Sequence, residues 1–80
     1  MKKVMISLNS IDKVKAFVND ISGYSNAEFD LVSGRYVIDA KSIMGIFSLD
    51  LSRDLNLVIH SEDTSFVKSI EDAVAEFKVA

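Results

Sequence analysis

Along this chain the spacing of apolar residues switches repeatedly between a period of two and a period of 3.6, and the order of those switches constrains the fold more than any single motif. From Lys3 to Leu8, Val4, Ile6 and Leu8 alternate with Met5 and Ser7, the pattern of a strand with one buried face. Asn9 or Ser10 can cap the next segment, where Val14, Phe17, Val18 and Ile21 fall on one helical face and Gly23 stands where a helix would terminate. The period returns to two in Ala27, Phe29 and Leu31, and a Ser33-Gly34 turn leads into Tyr36 to Ala40, which reads as the antiparallel partner. Ser42 starts a short helix, and Leu55, Leu57 and Ile59 then alternate with Asn56, Val58 and His60 in a fourth strand. Ser61 or Asp63 can cap a final helix with an acidic first turn and a continuous stripe of Phe66, Ile70, Ala73, Val74 and Phe77. The resulting order is βαββαβα. With an antiparallel hairpin at its centre, this predicts an α+β two-layer sandwich with the helices on one face of the sheet.

The 80 residues suffice for one hydrophobic core, so a single domain is expected over 1–80. There are no cysteines, which excludes disulfides and thiolate metal sites. Without a signal peptide or a long apolar run, the expectation is a cytoplasmic protein with no membrane segment. The formal charge of -3 and the scattered lysines argue against a nucleic-acid face, which wants clustered cations.

Few residues are equipped for catalysis. His60 is the only histidine and falls on the strand face opposite Leu57 and Ile59, so it reads as an exposed sheet residue. No serine lies in a Gly-x-Ser-x-Gly elbow, and carboxylates and histidine do not fall at metal-ligand spacing. Glu62/Asp63 and Glu71/Asp72 are accounted for by a helix N-terminus and a solvated helix face, and three isolated glycines make no phosphate-binding loop. The expectation is a protein that is not an enzyme and carries neither cofactor nor metal.

The stretch Lys41-Ser42-Ile43-Met44-Gly45-Ile46-Phe47-Ser48-Leu49 carries more information. On a helix capped by Ser42, Ile46 and Leu49 share one face, while Ile43 and Phe47, with Met44 beside them, share another. So short a helix needs one apolar stripe to enter the core. The second is then a docking patch beside a serine, or else all five side chains are core.

This same stretch resembles the regulatory serine region of HPr, the histidine-containing phosphocarrier of the bacterial sugar phosphotransferase system. The length, the βαββαβα order and the hairpin before the serine extend the resemblance along nearly the whole chain. It implies an open-faced sandwich with sheet order 1-4-2-3 and three helices on one side of a four-stranded antiparallel sheet. Members of that family carry a phosphoryl-accepting histidine at the start of the first helix, followed after one small residue by Arg-Pro. Here the matching position is Ile11, or Ser10 if one residue is inserted near Gly23, and the neighbours are Asp12 and Lys13. Histidine phosphotransfer is therefore expected to be absent, because imidazole supplies a phosphoramidate of high transfer potential and serine does not. Asp12 would also repel phosphate, and Lys13 would replace arginine only as a point charge.

The second family centre is retained at Ser42. In Gram-positive HPr proteins, and in the Crh-type branch whose histidine is likewise replaced, the matching serine is phosphorylated by an ATP-dependent HPr kinase/phosphorylase. The product serves as corepressor for a catabolite-control transcription factor. By resemblance the partner contacts are Lys41, Ile43, Met44 and Phe47, and Ile46 and Leu49 are buried. Departures are Asp50, where the family usually has glycine, and the turn Ser52-Arg53-Asp54, which together predict a more acidic approach to Ser42. Three alternatives stand beside regulation: a serine kept only as a helix cap, a non-signalling interaction scaffold, and a phosphocarrier using Ser10 or His60.

Overall fold

A computed structural model describes residues 1–79 of the chain. Its elements run β1 (Lys2–Ile6), α1 (Ile11–Ser22), β2 (Glu28–Ser33), β3 (Tyr36–Asp39), α2 (Ile43–Phe47), β4 (Leu55–His60) and α3 (Thr64–Ala73), followed by a 3-10 turn at Ala75–Phe77. The four strands form one antiparallel sheet in the order β1-β4-β2-β3, as the resemblance implied.

Alternation decides which face of the sheet is covered. Val4 and Ile6 of β1, Phe29 and Leu31 of β2, and Leu55, Leu57 and Ile59 of β4 are all buried in one cluster. The helices close that cluster with Val14, Phe17 and Ile21 from α1, Ile46 from α2 and Ile70 from α3. Edge-to-face aromatic pairs join the helical elements, with Phe17 meeting Phe77 and Tyr24 meeting Phe66, each with ring centroids 5.8 Å apart, and Phe29 of β2 stacks on Phe66 of α3 to tie the two layers. No side chain nitrogen or oxygen is buried without a partner among the described residues.

The opposite face of the sheet is open, and cross-strand register arranges it in rows. Lys3, Val58, Asp30 and Asp39 stand side by side from β1 to β3, and Met5, Asn56, Val32 and Val37 form the next row. His60 pairs with Glu28 in the row beyond Lys3. His60 is exposed on this face, as its alternation predicted.

Several boundaries differ from the sequence reading, each for a local reason. The first strand stops at Ile6, yet Leu8 is fully buried, because the chain turns inward to reach α1. The second strand extends through Val32 and Ser33, since a two-residue turn, Gly34-Arg35, lets Ser33 pair with Tyr36. Gly34 has φ 59°, which suits a hairpin turn with glycine at its first central position. Gly23 ends α1 without left-handed geometry, at φ -70°. The last apolar stripe is not one helix. α3 ends at Ala73, and Val74 and Phe77 reach the core through the tighter 3-10 turn. Nor is its first turn acidic: Asp63 is the cap itself, accepting from the backbone N–H groups of Ser65 and Phe66, and Glu62 precedes it. Beyond the 3-10 turn the chain lies along the edge of β1, with Ser7 N–H donating to Phe77 and Val79 N–H donating to Met5. Of the domain expected over 1–80, Ala80 lies outside the described residues.

Candidate functional site

The first expected centre lies at the start of α1. Ser10 is the N-cap, in extended geometry, and its hydroxyl accepts from the Lys13 backbone N–H at 3.1 Å. Ile11 is the first helical residue and is 61% exposed. Asp12 and Lys13 come next on the surface, so the start of α1 presents a hydroxyl, an apolar side chain and one charge of each sign. No imidazole is near. β1 ends at Ile6 opposite Leu55, whereas His60 is at the other end of β4, about 17 Å along the strand at 3.3–3.4 Å per residue. There its Nε2 lies 2.7 Å from Asp30 Oδ2 across the sheet.

The second centre is built by the turn between β3 and α2. Asp39 organises that turn: its carboxylate accepts from the Lys41 N–H at 2.9 Å, and its carbonyl accepts from the Ser42 N–H at 3.0 Å. Ser42 is then delivered exposed to the N-cap of α2, where its Oγ accepts from the Gly45 N–H at 3.2 Å. Gly45 has a reason to lack a side chain. A Cβ there would stand 3.1 Å from Ser42 Oγ and 3.4 Å from Ile38 Cδ1, crowding the hydroxyl.

Downstream of Ser42 the two apolar faces separate. Ile46 and Leu49 are buried, Ile43 packs partly against the core, and Met44 and Phe47 are 77% and 39% exposed. Since α2 packs beside α1, Met44 and Phe47 belong to the same helical layer as exposed Ile11. Apolar side chains of this size on one layer beside a serine make a surface suited to a protein partner.

Lys41 is placed differently from the expectation that it adjoins a phosphate or a partner. Its ammonium turns back into the molecule, donating to the Tyr24 carbonyl at 2.8 Å and the Ala27 carbonyl at 2.9 Å. It also lies 5.4 Å from the centroid of the Phe29 ring. In the α1–β2 loop the Tyr24 carbonyl accepts the Ala27 N–H at 3.2 Å, and the half-buried Lys41 cation adds a second donor to it and a donor to the Ala27 carbonyl. Sequence spacing gave no hint of this, because the bond partners lie 14 and 17 residues away.

The acidic approach to Ser42 is also modified. Asp50 accepts from the Ser52 hydroxyl at 2.6 Å and the Ser52 N–H at 3.1 Å, with Arg53 Nε 3.5 Å from its other oxygen. The Ser52 hydroxyl, then the Ser52 N–H, hold the Asp50 carboxyl below the ordinary aspartate value, slight desolvation opposes them, and the Arg53 charge adds to the lowering. Asp50 and Asp54 share a cleft of ≈ 740 Å³ with the chain's two arginines, Arg35 and Arg53, and with Tyr36 and Ser48. Its formal charges cancel. Among the described residues no group of three His, Cys, Asp or Glu could hold a metal ion, and no helix is long and apolar enough to cross a membrane.

No protein-family model and no curated protein matches the chain. Among solved structures, HPr-C-His from Thermoanaerobacter tengcongensis superposes with a TM-score of 0.72 and 25% sequence identity. The match covers 95% of this chain and 92% of that chain. The chain has the HPr fold. It is thus an HPr-like protein, related by fold to the phosphocarrier of the sugar phosphotransferase system. Set on that fold, Ser10 and Ile11 occupy the start of the first helix and Ser42 caps the second, with Met44 and Phe47 exposed beside it.

Proposed function

We propose that this HPr-like protein is a cytoplasmic regulatory module of the Crh type, phosphorylated on Ser42 by an HPr kinase/phosphorylase and devoid of histidine phosphotransfer. The single observation that carries this reading is the contrast between the two helix starts. One offers an exposed serine above a glycine that leaves its hydroxyl room, and the other offers Ser10 and Ile11 in place of a histidine. Phosphorylation adds about -1.5 to -2 charges and three acceptor oxygens at the edge of the Met44 and Phe47 surface. Neutral, that surface offers a partner apolar contacts. Modified, it adds an anion that an arginine of a catabolite-control transcription factor can clamp. The protein itself performs no chemistry in this account.

The placement of Lys41 favours a second reading, in which Ser42 is kept only as a helix cap and the domain is a non-signalling scaffold. Its ammonium is committed to the Tyr24 and Ala27 carbonyls and supplies no charge to a phosphate on Ser42. Titrating a catabolite-control transcription factor with Ser42-phosphorylated and unmodified protein separates the two. Regulation predicts binding tighter by about tenfold or more for the phosphorylated form, and a comparable loss when Met44 or Phe47 becomes alanine. Equal binding of both forms favours the scaffold.

A further inference from the structure

The open face of the sheet carries four apolar side chains among its charged and polar ones, where an open face is ordinarily polar. Antiparallel sheets covered on one side show a clean alternation of apolar in and polar out. Here Met5, Val32, Val37 and Val58 all point away from the helices, interleaved with polar neighbours in two adjoining rows. Val58 is buried yet lies outside the core cluster, and Met5 and Val37 are 48% and 62% exposed. The helices and core on the other face give these side chains no packing role.

Charge is segregated across the same rows. Lys3 on β1 makes no ion pair among the described residues, whereas Glu28, Asp30 and Asp39 stand on β2 and β3. Asp30 is answered within the chain by His60 at 2.7 Å. Asp39 uses one oxygen on the Lys41 N–H and leaves the other to solvent. One edge of the face is therefore positive and the other negative, and the mainly apolar row of Met5, Asn56, Val32 and Val37 lies beside the row that holds Lys3 and Asp39.

We propose that this face pairs with the same face of a second copy of the chain. A two-fold axis parallel to the strands, lying between the two sheets and midway between β4 and β2, lays β1 over the partner's β3 and keeps each row over itself. Lys3 then stands over the partner's Asp39, Met5 over the partner's Val37, Asn56 over the partner's Val32 and His60 over the partner's Glu28. The recessed Val58 falls over the partner's Asp30, whose carboxylate is already in contact with the histidine of its own chain. Turning the axis to lie across the strands puts unlike rows together and loses the ion pairs. Complementarity of the face with itself, edge to edge, is what selects a second copy over an unrelated partner.

The face is small. Four strands about 4.8 Å apart and three rows about 6.7 Å apart cover roughly 400 Å² per sheet, well below the ~800 Å² per partner of a stable complex. The dimer is accordingly weak and exchanges with monomer in the high-micromolar range and above. It leaves Ser42, Met44 and Phe47 free on the outer layer.

Dilution of isotope-labelled full-length protein from about 2 mM to 20 µM at low salt, monitored by amide shifts and by sedimentation equilibrium, tests the proposal. The expected result is concentration-dependent shifts at Lys3, Met5, Val37 and neighbours, with helix amides unmoved. Lys3→Glu and Asp39→Lys should each weaken association about tenfold, through two lost pairs and the repulsion that replaces them. An equimolar mixture of the two variants should associate better than either alone, because the introduced glutamate then faces the introduced lysine and the two native groups face each other. Val37→Asp, at an exposed position, should abolish association even if Asp39→Lys loosens the turn before α2. A chain monomeric at 2 mM overturns the proposal. So do shifts confined to the helical layer, or a mixture that associates no better than its components.

Discussion

Replacing Lys41 with methionine keeps most of the aliphatic stem and removes the ammonium that joins the α1–β2 loop to the turn between β3 and α2. Two carbonyls, of Tyr24 and Ala27, lose a charged donor at 2.8 and 2.9 Å, and the Phe29 ring loses a cation 5.4 Å from its centroid. Because the site is only partly buried, water recovers some of each bond, and about 1 kcal/mol per hydrogen bond is a fair net value. The cation–π contact adds ~0.5–1 kcal/mol, and the favourable contact of the methionine sulfur with the ring offsets a similar amount. The expected loss is about 2 kcal/mol. For a domain of this size that lowers Tm by roughly 8–16 °C. Urea denaturation should show the midpoint falling with the slope unchanged, since the surface exposed on unfolding hardly differs. A loss under about 0.5 kcal/mol would refute the reasoning, because it would mean that water, with the Ala27 N–H at the Tyr24 carbonyl, already satisfies both carbonyls.

Local geometry sets two further outcomes. Asp63→Ala removes the cap that two α3 N–H groups share and should cost about 1 kcal/mol, read in the same denaturation assay, while Asp63→Asn or Asp63→Ser should restore most of it. The Asp50 carboxyl, monitored by NMR, should titrate below an ordinary aspartate, and Ser52→Ala should move its midpoint back up by removing the strongest of its hydrogen bonds. The sign is that of a depressed acid: the Ser52 and Arg53 contacts stabilise the fold above the unfolded-state pKa of about 3.9, and their contribution disappears as pH falls through the lower folded-state value.

Periodic spacing made the elements and their burial readable. Ile46 and Leu49 turned inward while Met44 and Phe47 stayed out, because the five-residue α2 touches the core along one stripe only. Sheet order came from resemblance, since alternation fixes which residues face inward without fixing which strands are neighbours. Segment ends were less accessible: nothing in a stripe from Phe66 to Phe77 distinguishes one helix from a helix that gives way to a 3-10 turn. The caps at Ser10 and Ser42 were visible because the hydroxyl and its N–H partner are three residues apart. The Lys41 clamp was not, because it depends on where a distant loop leaves its carbonyls. The same limit applied to the His60–Asp30 pair, which depends on the register between β4 and β2.

The central claim is that Ser42 is the surviving regulatory centre and the start of α1 carries no phosphoryl group. Intact mass after incubation with a purified HPr kinase and ATP, beside a parallel incubation with phosphoenolpyruvate and the first enzyme of the phosphotransferase system, tests it most directly. The account predicts one phosphoryl group gained with kinase and ATP, none gained with phosphoenolpyruvate, and none gained by Ser42→Ala in either reaction. No gain with the kinase, or a gain that persists in Ser42→Ala, would contradict it.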